Sequence, residues 1–205
     1  MDYYGNLIEN NYYHIVSRAV GNEKLFKEPE NYRYFLQRYA DYIQPVAETY
    51  AYCLLPNHFH FLVRIRPHDT IASHAKMLKP GFTETDGWQP VFVMKQFSNF
   101  LNSYTKSFNK MYQRKGSLFI DYLRRVEITD EHQYSATLFY VHRNAVHHGI
   151  VKSIEAWPHS SYHAHLSNGK TMLARAEVLD WFGGREKFIE FHQQPIHLKN
   201  AVVVE

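Results

Sequence analysis

The chain has 205 residues, 45% of them hydrophobic, and a formal net charge of +3 with fourteen histidines in reserve. That is enough apolar material for one domain, or one domain with an appendage, and it excludes a globally disordered chain. The charge permits an anionic partner such as nucleic acid without requiring one, and a lone cysteine, Cys53, excludes an intrachain disulfide framework or a cysteine-built zinc site.

The start, Met1-Asp2-Tyr3-Tyr4-Gly5-Asn6, has neither the basic nor the apolar region of a signal peptide. No apolar run approaches the ~20 residues of a membrane helix, so a cytoplasmic protein is expected. Residues 12–20 are rich in β-branched and aromatic side chains and predict the first strand, which Gly21-Asn22 turns. Pro29 suits a helix N1 position. Behind it Tyr32, Phe35, Leu36, Tyr39 and Ile43 recur at helical spacing, predicting a helix over 30–43 that Pro45 ends. Residues 48–55 and 58–66 predict an antiparallel hairpin closed by Leu55-Pro56-Asn57. A short helix is expected within 68–80, then a loop over 81–93 containing Gly87 and Pro90.

From Met94 to about Tyr112 the pattern is strongly helical, with Phe97, Phe100, Leu101, Tyr104, Phe108 and Met111 on one face. A fourth strand is expected over about 118–128. Asp130, with Gln133 three residues on, opens a helix by a capping box, and the helix runs to about His148 before Gly149. Trp157-Pro158-His159-Ser160-Ser161-Tyr162 reads as a loop. Residues 174–192 read as helical, broken at Gly183-Gly184, and the tail ends in apolar Val202-Val203-Val204. The order β-α-β-β-α-α-β-α contains a β-α-β-β-α-β core. It predicts an α+β fold: a ferredoxin-like antiparallel sheet with helices on one face, plus extra helices. Residues 1–165 would form the main domain and 166–205 a small C-terminal appendage packed on it.

Within this frame, Leu55-Pro56-Asn57-His58-Phe59-His60-Phe61-Leu62-Val63 is the stretch with chemistry in it. Side chains alternate along a strand, so His58 and His60 share one face while Phe59 and Phe61 enter a core. Two imidazoles so placed can grip a divalent metal ion; they can equally be two polar residues on a wet sheet face. On the helix after Asp130, Tyr134, Leu138, Val141 and Ala145 form the core stripe. Tyr140 and Asn144 stack on another face, about a quarter turn or more away, toward solvent or a cleft. Helical geometry alone leaves an ordinary exposed Tyr–Asn pair open.

The two segments together resemble a known family. Residues 55–63 are similar to the His-hydrophobic-His (HUH) signature of single-tyrosine transposases of the insertion-sequence-200 type. Phe139-Tyr140-Val141-His142-Arg143-Asn144-Ala145-Val146-His147-His148-Gly149 resembles the helix that carries that family's nucleophile. Gly116-Ser117-Leu118-Phe119 and Trp157-Pro158 with Ser160-Ser161-Tyr162 match its other blocks, and the nearest branch is the REP-associated tyrosine transposases. The likeness covers roughly residues 12–165. Many members have Asn-Pro-Val where this chain has Asn144-Ala145-Val146, and alanine favours a longer helix here.

The resemblance implies cleavage and rejoining of single-stranded DNA at hairpin or REP-type sequences. Tyr140 would form a 5′-phosphotyrosine, and His58, His60 and Asn144 would hold Mg2+ or Mn2+. The protein would act as a monomer or homodimer. His142 projects away from the Tyr140–Asn144 face and is expected to be exposed or to stand behind the ligands. Lys106, Lys110, Arg114, Lys115, Arg124 and Arg125 flank this site in sequence, with Tyr104, Tyr112 and Tyr122 interleaved, and are candidate DNA contacts together with Arg18. A non-catalytic single-stranded nucleic-acid binder derived from such a transposase, or a metal-dependent hydrolase without a covalent step, would use parts of the same pattern.

Overall fold

The protein is described from a computed structural model over residues 4–120 and 123–194; Tyr122 and the Val202–Val204 tail lie outside the described residues. Four strands form the sheet: β1 (Tyr12–Arg18), β2 (Ala47–Leu55), β3 (His58–Ile65) and β4 (Arg124–Ile128). They lie in the order β2-β3-β1-β4 with every pair antiparallel. That is the ferredoxin-like order expected from the sequence.

The helices are α1 (Pro29–Ile43), α2 (His68–Leu78), α3 (Trp88–Met111), α4 (Glu131–His147), α5 (Tyr162–Leu166), α6 (Arg175–Trp181) and α7 (Arg185–Gln193). Pro29 opens α1 and its buried face includes Tyr32, Phe35, Tyr39 and Ile43, as the spacing predicts. α3 begins six residues earlier than its apolar pattern. Pro90 falls in the first turn, where a backbone N–H has no helical partner to lose, so the proline starts the helix instead of delaying it. The strand expected over 118–128 divides in two. Arg124–Ile128 forms the ladder with β1, while Phe119 bridges to Ala19 just beyond the end of β1 and the Ile120 N–H donates to Arg18 O. Asp130 caps α4 by accepting from the Gln133 backbone N–H at 2.8 Å. Gly183 and Gly184, at φ +78° and +110°, make the left-handed turn between α6 and α7.

The two crossover helices, α1 and α3, cover one face of the sheet. Their core includes Phe35 and Phe100 against Ile15, Phe59, Phe61 and Val63. The additional helix α4 covers the opposite face, over Val16, Ala51, Cys53, Leu55, Leu62 and Val126, and Val178 of α6 and Phe188 of α7 complete that second core. The outer edge of β2 is occupied by the loop after α4. Leu54 donates its N–H to His159 O, and Ser161 donates to Tyr52 O, which covers an edge that would otherwise be open to pairing.

α7 is fixed to α4 through buried imidazoles. His142 Nδ1 lies 2.9 Å from His192 Nε2, and His142 Nε2 lies 2.7 Å from Ser161 Oγ. His142 is thus fully buried; α7 and Ser161 cover it, which the helix sequence alone could not show. Burial pushes His165 and His192 down to about 4. Both are therefore neutral when folded, and the unfolded chain binds more protons between pH 6.5 and 4. Their stabilisation is complete above about pH 6.5 and falls as pH drops toward 4, by on the order of 2–3 kcal/mol per histidine. Urea midpoints measured from pH 7.5 to 4.5 should fall accordingly; a flat profile would show that these histidines are not held neutral.

Candidate active site

β3 begins at His58, and its pleat turns His58 and His60 toward α4 while Phe59 and Phe61 enter the α1–α3 core. α4 lies across β2 and β3 and brings Tyr140 and Asn144 down on the histidines. Asn144 Oδ1 is 3.3 Å from His58 Nε2. The Tyr140 ring stands edge-on to His60, with centroids 5.7 Å apart. The expected nucleophile and three expected ligands are therefore assembled within one chain.

Tyr140 and Asn144 are both at 0% exposure, whereas the sequence places them toward solvent or a cleft. α4 is buried around most of its circumference, because the sheet covers one side and α5 and α7 the other. The helix also runs past Ala145 to His147, as alanine in place of proline allows. This extra turn sets His147 against Tyr140, at 5.9 Å, and His148 against His58, at 4.8 Å. The mouth of the site is a cleft of about 550 Å³ beside His58, with Arg18, Asn22, Lys24, Asn57 and His148 in its walls.

Proton accounting narrows what this cluster can hold. His58 Nδ1 lies 2.8 Å from Asn57 Oδ1, and its Nε2 faces Asn144 Oδ1. A neutral imidazole has one N–H and cannot donate to two oxygens. A second positive centre at Nε2, proton or metal ion, satisfies both; so does turning the Asn144 amide so that its Nδ2, which as placed has no hydrogen-bond partner among the described residues, donates to Nε2. His60 is buried, with Nδ1 3.0 Å from His14 Nε2, and its Nε2 has no hydrogen-bond partner among the described residues. Burial, then the neighbouring His14, His58, His148 and His147, hold the His60 pKa well below the usual range, so its ring is neutral with a lone pair to give.

The 3.3 Å between His58 Nε2 and Asn144 Oδ1 is close to the about 3 Å separating adjacent ligands on an ion with bonds of about 2.1 Å. Among the described residues no group of three or more His, Cys, Asp or Glu side chains is placed to hold a metal ion. A site built on His58 and His60 would find its third protein donor in the Asn144 amide. Cys53 sits opposite His60 in the sheet, but burial pushes its thiol up to about 12, so it fills space as a neutral thiol. The residues fit a divalent ion held by two imidazoles and one amide oxygen.

The proposed DNA contacts separate into groups. Arg18 pairs with His58 across the sheet, and Arg124 pairs with Val16, which in turn pairs with His60, so both lie on the site face. Arg125 points the other way and donates to the Gly5, Tyr4 and Leu123 carbonyls. Arg114 is committed to Glu23 at 2.9 Å, to Asn109, and to the Gly116 and Ser117 carbonyls. Arg114 and Arg125 thus hold the protein together rather than line the site. Lys106 and Lys110 are exposed on α3, on the opposite face from Tyr140, and Lys115 is exposed just beyond α3. Tyr104 is core, donating to Leu25 O. Residues that the sequence did not single out for the site are His14, Asn57 and Lys24. Only the strand register reveals His14, because its link to His60 spans 46 positions.

A ferredoxin-like sheet that sets a His-hydrophobic-His pair beneath a tyrosine-bearing helix defines the chain as a protein of the HUH single-tyrosine class. No family model matches the chain. A relative from Haemophilus influenzae (strain ATCC 51907 / DSM 11121 / KW20 / Rd), named as a REP-associated tyrosine transposase, is 32% identical over 139 residues, covering 66% of this chain and 67% of the relative. The chain belongs to the REP-associated tyrosine transposase family. A solved structure, described as a REP-associated tyrosine transposase bound to a REP hairpin, superposes with a TM-score of 0.54 over 82% of this chain and 87% of that one. At 17% identity that likeness speaks for the fold. Among the described residues no helix is long and apolar enough to cross a membrane.

Proposed function

We propose that the protein cleaves single-stranded DNA beside a hairpin and transfers the strand through a 5′-phosphotyrosine on Tyr140. The observation that carries this is the convergence of Tyr140, His58, His60 and Asn144 from two distant segments into one cluster, buried except for His58 at the cleft mouth. A hairpin partner is supported by the relative solved with a REP hairpin.

Tyr140 Oη attacks the phosphorus, and the bond from phosphorus to the 3′-oxygen breaks. The phenolic proton is given up and the departing oxygen gains one, leaving a 3′-hydroxyl. Attack by another 3′-hydroxyl reverses the sequence and reseals a strand, so no nucleotide cofactor is needed. A phenol with an ordinary pKa of about 10 is a weak nucleophile at neutral pH. A Mg2+ or Mn2+ ion on His58, His60 and Asn144 would supply the Lewis acid that draws charge from the phosphate. Asn144, one helical turn beyond Tyr140, ties the nucleophile to the ligands through α4. Arg18 and Lys24 at the cleft, and Arg124 on the same sheet face, would take backbone phosphates.

The test is incubation with hairpin-bearing single strands and Mn2+, followed by a search for a protein–DNA adduct. No adduct with any hairpin from the surrounding DNA would favour the alternative, a non-catalytic binder. The arginines give a separate prediction. Arg18→Ala should weaken DNA binding about equally across sequences and lower the salt slope by about 1, with stability unchanged. Arg114→Ala should do the reverse, costing on the order of 2 kcal/mol of stability through its lost charged hydrogen bonds. Salt titrations and urea melts of both variants check this; equal effects would contradict the division.

A further inference from the structure

We infer that His14 and Asn57 are positioning residues that fix the tautomers of His60 and His58 and so present both Nε2 atoms to one point. This deepens the metal reading above and rests on it for its consequence, though not for the tautomers themselves.

Each histidine of the His-x-His pair has its Nδ1 occupied. Asn57 Oδ1, 2.8 Å away, can only accept, so His58 carries its proton on Nδ1. His14 Nε2 is 3.0 Å from His60 Nδ1, and both rings are buried and stacked at 29°. One proton lies between these two nitrogens. If His14 supplied it, His60 would carry its own proton on Nε2, where no acceptor is found among the described residues, and a buried unmet N–H is costly. The arrangement that satisfies the count has His60 Nδ1–H donating to His14 Nε2, with the His60 Nε2 lone pair facing the site. His14 also stands edge-on to Tyr140, with centroids 5.9 Å apart, as His60 does. One side chain on β1 thus steadies both a ligand and the nucleophile's ring. Partners on the far nitrogen of a ligating histidine orient it and raise its basicity, and their loss costs roughly 10–100-fold in metal affinity.

The full chain labelled with 15N in its imidazoles should show His60 and His58 in the Nδ1–H form without added metal, with signals assigned through His60→Ala and His58→Ala. Mn2+ titration should then find His14→Phe weakened by roughly 10–100-fold. His14→Gln, whose carbonyl can accept the same proton, should be restored to within about threefold of the native chain; thermal melts establish that both variants fold. His60 in the Nε2–H form, or native affinity in His14→Phe, overturns the inference. If the native chain itself fails to bind Mn2+, the metal reading fails, and the His60 tautomer still decides the role of His14. Should His14→Phe fail to fold, His14→Gln with an Nε2–H His60 would overturn it equally.

Discussion

Tyr140→Phe should yield a folded protein that forms no covalent DNA adduct, with cleavage lowered by at least about 10³-fold. The ring stays and only the hydroxyl goes. The packing against His14, His60 and His147 is kept, and stability should shift by no more than about 1 kcal/mol. Hairpin binding should persist, because phosphate contacts would come from basic side chains and not from the phenol. Electrophoresis under denaturing conditions reads the adduct, and a filter or anisotropy assay reads binding. Cleavage that survives without an adduct would mean a water nucleophile, and the protein would be a metal-dependent hydrolase.

His58→Ala should be nearly as severe by a different route. His58 is only half-buried at the cleft mouth, so its removal costs the fold little, whereas His60→Ala would open a hole in a packed interior. Loss of one of three protein ligands should weaken Mn2+ by more than about 100-fold. Losing the Lewis acid should slow cleavage by about 4 kcal/mol, or roughly 10³-fold. Chelation of the native chain should reproduce the cleavage defect, and Mn2+ should reverse it only in the native chain. Calorimetric titration and single-turnover cleavage separate the two effects. Full activity of His58→Ala in chelator would remove the metal from the account.

Much of the architecture is readable from local pattern. Period-3.6 stripes give α1 and the body of α3, strand alternation gives the β2–β3 hairpin, and Asp130, Gly149 and Gly183-Gly184 mark helix ends. The strand period also puts His58 and His60 on one face without further information. What the sequence could not give depends on contacts between distant segments. The burial of His142 follows from α5 and α7 closing over α4, and that of Tyr140 from its seat on the sheet against His14 and His60. The partnership of His14 with His60 follows from the β1–β3 register. Proximity in sequence misled for the arginines. Arg124 and Arg125 are neighbours, yet the pleat sends one to the site face and the other to the Tyr4 and Gly5 carbonyls. Arg114, in a basic run, is spent on Glu23 and loop carbonyls that shape the turn behind the cleft.

The central claim is that one metal ion sits on His58, His60 and Asn144 within reach of Tyr140. Crystals of the native chain grown with Mn2+ and measured for anomalous scattering test it directly. The account predicts a single strong peak bounded by His58 Nε2, His60 Nε2 and Asn144 Oδ1, at bond lengths of about 2.1–2.3 Å, on the side of His60 that faces Tyr140. A peak elsewhere, or His58 and Asn144 still joined with no density between them at saturating Mn2+, would contradict it.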